Sequence, residues 1–419
     1  MSRNQRSIFF YRLVLAAFIV GSLMFHLAIL WESRKYIADG NGDFIIFYTG
    51  AQIINDGRSK ELFNVETQNA YQAKFDVPQL EWPLPFNHAP YELFLFLPLA
   101  HLPYPLAHAI WSGINLVFLG LMLRTLLRYL DWRHWFFVGT AVLAWFPTME
   151  TFRSGQDSIM STVLLLGVFV NLKQRQDGWA GFCLALGLYK PQLVLPMVGT
   201  LLIARRWYVL KVFSITGIIL TSACVAMVGW KGLFDLVFIL RAMEHYSYIV
   251  YPANMPNIRG FFGHLPQLAV SAILSGSLTI MISLVLYALC LFLWARQFDV
   301  FDPSFDLKFS LCLVTTVLIS YHLYAHDLFP LTISLVLFFR YITLDTVSSK
   351  TISNIFFVLI LVFLLPVIPR YLIQYSALSW AAVPILVFYS TLIVEILYRS
   401  RISFEEKEIK ISSIQPQAV

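Results

Sequence analysis

The sequence predicts an all-α polytopic membrane protein, on three observations. It is 58% hydrophobic and only 13% charged, against roughly 25% charged residues in an average soluble domain, and its mean hydropathy is +0.69. Uninterrupted apolar runs such as Ile8 to Trp31 and Trp207 to Gly229 are long enough to cross roughly 30 Å of hydrocarbon at about 1.5 Å per helical residue. Finally, clusters of Lys and Arg recur between the runs with a consistent parity, as the preference of basic residues for the cytoplasmic side requires.

The basic clusters lie at Arg3 to Arg12, Arg124 to Arg133, Lys173 with Arg175, Arg205 to Lys211, Arg296 to Lys308, Arg340 to Lys350 and from Arg399 onward. Placed inside, they predict spans over 8–31, 105–128, 134–152, 157–172, 179–190, 191–204, 207–229, 267–295, 308–322, 327–343, 352–371 and 379–398, about a dozen in all, with both termini cytoplasmic. The first run is too long for a signal peptide and lacks a small-residue cleavage site, so it reads as a retained anchor. The apolar stretch 179–204 is flanked by basic clusters at both ends; a hairpin turning at Tyr189-Lys190-Pro191-Gln192 keeps the parity, because the residue before a proline leaves the helical region easily. Tyr91 to His101 is too short to span and reads as interfacial or re-entrant. Residues 1–398 then form one transmembrane domain with outer loops 32–88 and 230–266, and 399–419 a cytoplasmic tail. Cys183, Cys224, Cys290 and Cys312 sit inside apolar runs without metal-ligand spacing and read as small core residues.

This topology gathers the polar interruptions on the outer side. Asp43 follows the first span and precedes a stretch expected to lie amphipathically on the membrane surface. It can serve as a general base or as a helix N-cap. Lys190 within the apolar hairpin can hold a phosphate or snorkel to head groups. Tyr321-His322-Leu323-Tyr324-Ala325-His326-Asp327 concentrates polar groups at a junction. His322 and His326 share a face if the segment is helical, a spacing that suits a metal. They also suit phosphate binding with Asp327 orienting His326, and an interfacial aromatic belt explains the tyrosines. Gly155-Gln156-Asp157 opens a helix whose N-terminus attracts anions, with capping by Ser154 or Asp157 as the structural alternative. Arg259, between turn residues in Met255-Pro256-Asn257-Ile258-Arg259-Gly260, can contact a phosphate or a lipid head group. No Walker, dinucleotide-binding, HExxH, GxSxG or nucleic-acid-binding signature occurs, so no cofactor and no nucleic-acid partner is indicated.

Taken in order, Asp43-Phe44, Phe86-Asn87-His88-Ala89-Pro90-Tyr91 leading into Leu97-Pro98-Leu99-Ala100, Gly155-Gln156-Asp157, Ala180 to Pro191, Arg205 to Trp207, the Met255 to Gly260 turn and Tyr324-Ala325-His326-Asp327 resemble glycosyltransferase family 87 over roughly residues 10 to 345. The resemblance implies a GT-C-type membrane fold and a polyprenyl-phosphate sugar donor, with mannose the family expectation. It further implies a lipid or glycan acceptor, inversion at the anomeric carbon, and a site facing the extracytoplasmic side of the cell membrane. Asp43 matches the catalytic aspartate. Lys190, His322, His326 and Arg259 are the expected donor-phosphate contacts, and His88, Gln156, Asp157, Asn257, Tyr321 and Asp327 the expected pocket; a metal is not required. His88-Ala89-Pro90 replaces the family's usual Tyr-Pro-Pro, a departure that bears on acceptor choice. The competing readings are a lipid-linked polysaccharide polymerase or ligase and a lipid flippase or transporter, the latter disfavoured by the absence of a convincing internal repeat.

Overall fold

The computed structural model describes residues 3–75, 84–245, 252–263, 271–296, 299–343 and 379–412, which are helical with no β-strand among them. The helices are α1 (Arg3–Glu32), α2 (Arg34–Ala38), α3 (Phe44–Asn55), α4 (Val65–Gln72), α5 (Tyr104–Leu127), α6 (Trp135–Ala144), α7 (Phe146–Ser154) and α8 (Ser158–Lys173). They continue with α9 (Asp177–Leu186), α10 (Pro191–Ile203), α11 (Trp207–Ala242), α12 (Ile258–Phe262), α13 (Ala272–Ala295), α14 (Pro303–Ile319), α15 (Leu331–Thr343) and α16 (Ala382–Ser412). Among the described residues, five segments are long and apolar enough to cross a membrane: Tyr104–Leu127, Trp207–Ala242, Ala272–Ala295, Ala325–Thr343 and Ser379–Arg399. The chain is an all-α membrane protein.

Local chemistry sets the helix ends. Asp302 caps α14 by accepting from the Ser304 amide at 2.6 Å, with Pro303 in the first turn, where a missing N–H costs nothing. Ser271 caps α13 through the Leu274 amide. The expected hairpin forms: α9 passes through a 3₁₀ turn at Gly187–Tyr189, and α10 starts at Pro191. The segment Tyr91 to His101 is two 3₁₀ turns, Pro90–Leu95 and Leu99–His101, too short to span as expected.

Other boundaries move, for identifiable reasons. The expected span 134–152 is two helices, α6 and α7, separated at the extended residue Trp145. Pro147 cannot donate to the preceding turn, so the break falls there. Helix α11 runs 13 residues beyond the expected end of its span and consumes the first part of the expected outer loop. It breaks direction at Gly229 (φ 76°, ψ 169°), a conformation that only glycine adopts readily. Span 327–343 is a 3₁₀ turn, Ala325–Leu328, followed by α15, and α16 continues past 398. The expected span 352–371 lies outside the described residues.

The stretch after Asp43 also departs from expectation. Helix α3 does not lie on a surface: Phe44, Ile45, Ile46, Phe47, Tyr48, Thr49, Gly50, Ala51 and Ile53 are all buried. Phe47 stacks on Phe96 at 4.8 Å, Phe96 meets Trp111 of α5 at 4.6 Å, and Tyr48 Oη donates to the Leu102 carbonyl at 2.6 Å. Its apolar residues recur on every side of the helix, so it is read as a core helix. A second core, built largely from α8, α14, α15 and α16, includes Phe169, Phe309, Leu313 and Phe388. Between these two cores lie the 155–158 strap, the Lys190 turn and the Tyr324–Asp327 junction. Cys224, Cys290 and Cys312 are buried, Cys183 is half-buried, and all four are free.

Candidate active site

Asp43 occupies the N-cap position of α3 in a near-helical conformation (φ −66°, ψ −15°) and makes no capping hydrogen bond. The carboxylate is used elsewhere: Gln156 Nε2 donates to Asp43 Oδ2 at 2.9 Å. Gln156 is placed by the end of α7, where Gly155 adopts the left-handed conformation at φ +72°. Trp111 Nε1 donates to the Gly155 carbonyl at 2.9 Å, and Asn115 Nδ2 reaches the Gln156 carbonyl at 3.3 Å. Two side chains of α5 therefore hold the strap that presents Gln156 to Asp43. Asp43 is half-buried, so it combines partial desolvation with a route to solvent.

The next residue on the strap, Asp157, is fully buried and also fails to cap its helix. Its Oδ1 lies 2.5 Å from Lys190 Nζ, which is also 2.7 Å from Asp327 Oδ1. Lys190 is 2% exposed, so it does not snorkel. An ammonium so buried needs paired, hydrogen-bonded counter-charges. Ser158 Oγ donates to Asp327 Oδ1 at 3.1 Å, and the Tyr324 amide approaches Asp327 Oδ2 at 3.4 Å. His326 Nε2 stands 3.4 Å from Asp327 Oδ2. His326 and Asp43 are near enough for their charges to interact.

His88 and Glu92 form a third group, with Nδ1 and Oε2 2.6 Å apart. Burial against Phe47 and Phe86 pushes the His88 imidazole down to about 4. Burial, then the neighbouring Asp157 charge, holds the Glu92 carboxyl well above the usual carboxylate range. Burial thus disfavours the charged form of both members of the pair. The ligand atoms of His88, Glu92 and Asp157 lie within 4.8 Å of one another, a donor set able to hold a divalent cation; Lys190 already supplies positive charge at Asp157.

Arg259, Asn257 and Tyr321 form a tether. Asn257 Oδ1 accepts from the Gly260 amide at 2.9 Å and its Nδ2 donates to the Ser320 carbonyl at 2.8 Å. The Arg259 guanidinium pairs with Glu244, donates to the Tyr321 carbonyl at 2.7 Å and lies 4.0 Å over the Tyr321 ring. His322 sits edge-on to Tyr324 at 5.0 Å. Ser320 and Tyr324 are extended (ψ 132° and −178°), so His322 and His326 do not share a helix face and the metal spacing suggested by the sequence is not realised.

The structure thus joins Asp43 to Gln156, and Lys190 to Asp157, Asp327 and His326. It sets His88 beside Glu92, and leaves Arg259, Asn257 and Tyr321 in their own cluster. Sequence reasoning overlooked Glu92, Ser158 and Glu244. The i, i+4 spacing of His88 and Glu92 was the available signal for the first; nothing local marks the other two, whose partners come from distant segments.

A family model described as Glycosyltransferase family 87 matches residues 86–320, more than half of the 419 residues. No curated protein and no solved structure matches the chain. The matched region holds His88, Gln156, Asp157, Lys190, Asn257 and Arg259 and ends at the junction, with Asp43, His326 and Asp327 outside it. With its membrane-spanning helices, the chain belongs to glycosyltransferase family 87 and is a membrane glycosyltransferase.

Proposed function

We propose that this glycosyltransferase moves a sugar, with mannose the first candidate, from a polyprenyl-phosphate donor to an acceptor hydroxyl on a lipid or glycan, with Asp43 as general base. The observation that carries this reading is the state of the Asp43 carboxylate. It is half-buried, free of its capping role, and oriented by one amide hydrogen bond from Gln156. A base needs hydrogen-bond reach to an incoming hydroxyl and a fixed orientation, and the bond from Gln156 supplies the second.

In the proposed step the acceptor oxygen attacks the anomeric carbon on the face opposite the phosphate. The new C–O bond forms as the bond from carbon to phosphate oxygen breaks, the hydroxyl proton passes to Asp43, and the configuration inverts. The departing phosphate carries the electron pair and needs donors already in place. His326, oriented by Asp327, and His322 are assigned to that side. Lys190 is assigned there too, with its charge shared between Asp157 and Asp327, and Arg259 flanks the junction through Tyr321. His88, Gln156, Asp157, Asn257, Tyr321 and Asp327 complete the pocket. In this reading residues 1–398 form one GT-C-type domain of about a dozen spans, with both termini cytoplasmic and the site on the extracytoplasmic side of the cell membrane.

The test is transfer of radiolabelled sugar from polyprenyl-phosphate mannose in membranes containing the wild type or Asp43→Asn at matched protein levels. Transfer that collapses in the variant supports donor class and base together. A wild type inert with mannose and with a panel of other polyprenyl-phosphate sugars would rule out the donor class.

A further inference from the structure

Helix α11 holds 36 residues, about 54 Å at about 1.5 Å per residue, whereas the hydrocarbon core of a bilayer is roughly 30 Å thick. Residues 207–229 alone reach about 34 Å on the same rise and already cover that thickness. They carry Lys211 as their one charge, and Ile215, Ile218 and Ile219 on them are exposed, as on a wall that faces lipid. The chain then changes direction at Gly229, and Lys231, Asp235 and Arg241 bring three charges into residues 230–242. This last stretch is nonetheless apolar on two faces. Trp230, Phe234 and Phe238, four apart and so along one face, are 67%, 73% and 63% exposed, with Val237 exposed beside them. On the opposite face Ile239, with Met243 just beyond the helix, is buried in the core that holds Leu62, Phe63 and Phe86. Gly232 on that face is buried too, and a Cβ there would lie 3.9 Å from the Phe63 ring.

We infer that residues 230–242 lie flat in the interface of the bilayer, with the rings of Trp230, Phe234 and Phe238 set among the upper acyl segments, so that this face docks on the lipid surface. Had the helix run straight on past Gly229, these rings would stand in water as one contiguous apolar stripe, which soluble surfaces rarely carry. The bend removes that conflict by turning the stripe back toward the membrane that the preceding residues have just crossed. The stripe is thus continuous with the lipid-facing surface of the span, and this continuity favours lipid over a protein as its occupant. Along the flank Lys231 Nζ donates to Asp235 Oδ2 at 2.7 Å, which keeps the charges at the level of head groups and water while the rings lie below, the arrangement of an interfacial helix. A tryptophan at the bend, where hydrocarbon gives way to head groups, is likewise in its preferred layer. Docking of this face fixes the height of a neighbouring segment as well, since Asn87 Nδ2 donates to Met243 Sδ at 3.5 Å. The Asn87-His88 turn is therefore held at a set distance from the membrane surface.

The inference is independent of the donor and the base proposed above, and its test reads depth in the bilayer. Cysteine would replace Trp230, Phe234 or Phe238, one at a time, with Ile218→Cys as a reference inside the span. Each full-length variant would carry an environment-sensitive fluorophore on the new thiol and be reconstituted in vesicles of phosphatidylcholine and phosphatidylglycerol, the signal from native thiols being measured in wild type and subtracted. Depth is read from quenching by nitroxides on the lipid head group, near the top of the acyl chain and near its end. Positions 230, 234 and 238 are expected at one shallow depth, quenched best from the top of the chain, and position 218 from its end. A helix that merely continued the span would spread positions 230 to 238 over about 12 Å at about 1.5 Å per residue, and such a gradient would overturn the inference. So would the absence of lipid quenching at all three positions, the result expected if a second copy of the chain covers the face. Phe234→Asp with Phe238→Asp should lower the shallow quenching at position 230 by at least about threefold, because the apolar face drives interfacial binding, and leave position 218 unchanged. Undiminished quenching at 230 would show that these rings do not seat the segment.

Discussion

Gln156 Nε2 donates to Asp43 Oδ2 at 2.9 Å across a sequence separation of 113 residues, and this one bond is what turns a helix-start aspartate into a candidate base. The amide donor occupies Asp43 Oδ2 and so orients the carboxylate. Asp43→Asn keeps an acceptor for Gln156 but cannot take a proton, so transfer should fall by about 10²–10⁴-fold, the usual worth of a general base, with little change in donor KM. Gln156→Ala leaves the base and removes its orientation. It should lower kcat by about tenfold or more with KM nearly constant; unchanged kcat in purified protein would show that Gln156 does not position Asp43.

Lys190 sits between Asp157 and Asp327, with 3% of its side chain exposed. Replacing it by methionine leaves two carboxylates facing each other in the protein interior. Breaking a buried pair by removing one partner costs about 3–5 kcal/mol. Lys190→Met should therefore lower the unfolding temperature of the detergent-solubilised protein sharply. Lys190→Met combined with Asp327→Asn should recover part of the loss, because one uncompensated charge goes with it. Recovery of stability without recovery of transfer would separate the structural role of the lysine from the phosphate role proposed for it.

Glu92 and His88 predict opposite responses to pH. His88 is pushed down to about 4 from its ordinary 6.5, so the unfolded chain binds a proton that the folded chain refuses. That contribution to stability is complete above pH 6.5 and declines as pH falls toward 4. Glu92 is raised, so its contribution is complete below its ordinary value near 4.5 and is lost as pH rises through the raised value. Glu92→Gln retains a neutral, hydrogen-bonding side chain and removes only the second response. The unfolding temperature of Glu92→Gln minus that of wild type should increase between pH 5 and pH 8. A difference independent of pH would mean that Glu92 is ionised in the folded protein at both values.

Much of the fold was legible because hydrophobic run length and basic-residue parity act over one segment at a time. The hairpin at Lys190-Pro191 could be read because proline restricts its predecessor and charges flank both arms. The split at Trp145 was missed because run length outweighed Pro147, and α11 was cut short because Gly229 was taken as a terminus when it is a bend. For the site, Asp43 and Lys190 stood out as polar residues interrupting apolar sequence. Gln156, Asp157 and Asp327 stood out in the same way, but their pairing with Asp43 and Lys190 did not, because the partners come from segments more than 30 residues apart. A capping aspartate and one held by a distant partner look alike in sequence until the packing of α3 against the 155–158 strap brings Gln156 to Asp43.

Gly155 offers the sharpest test of that strap. Its φ of +72° is left-handed, and a Cβ there would lie 2.6 Å from Phe44 Cβ and 3.0 Å from His108 Nε2. Gly57 also has a positive φ, +74°, but a Cβ there meets nothing within 4 Å. Alanine at either position incurs the left-handed penalty of about 1–2 kcal/mol; alanine at 155 adds overpacking, typically about 1–3 kcal/mol more. Gly57→Ala should shift the unfolding temperature modestly and leave transfer intact. Gly155→Ala should shift it further, and because the clash pushes the start of α3 away from Gln156, it should reduce transfer far beyond what the loss of folded protein explains. Equal effects of the two substitutions on kcat, measured per folded molecule, would show that the strap's position does not matter to the reaction.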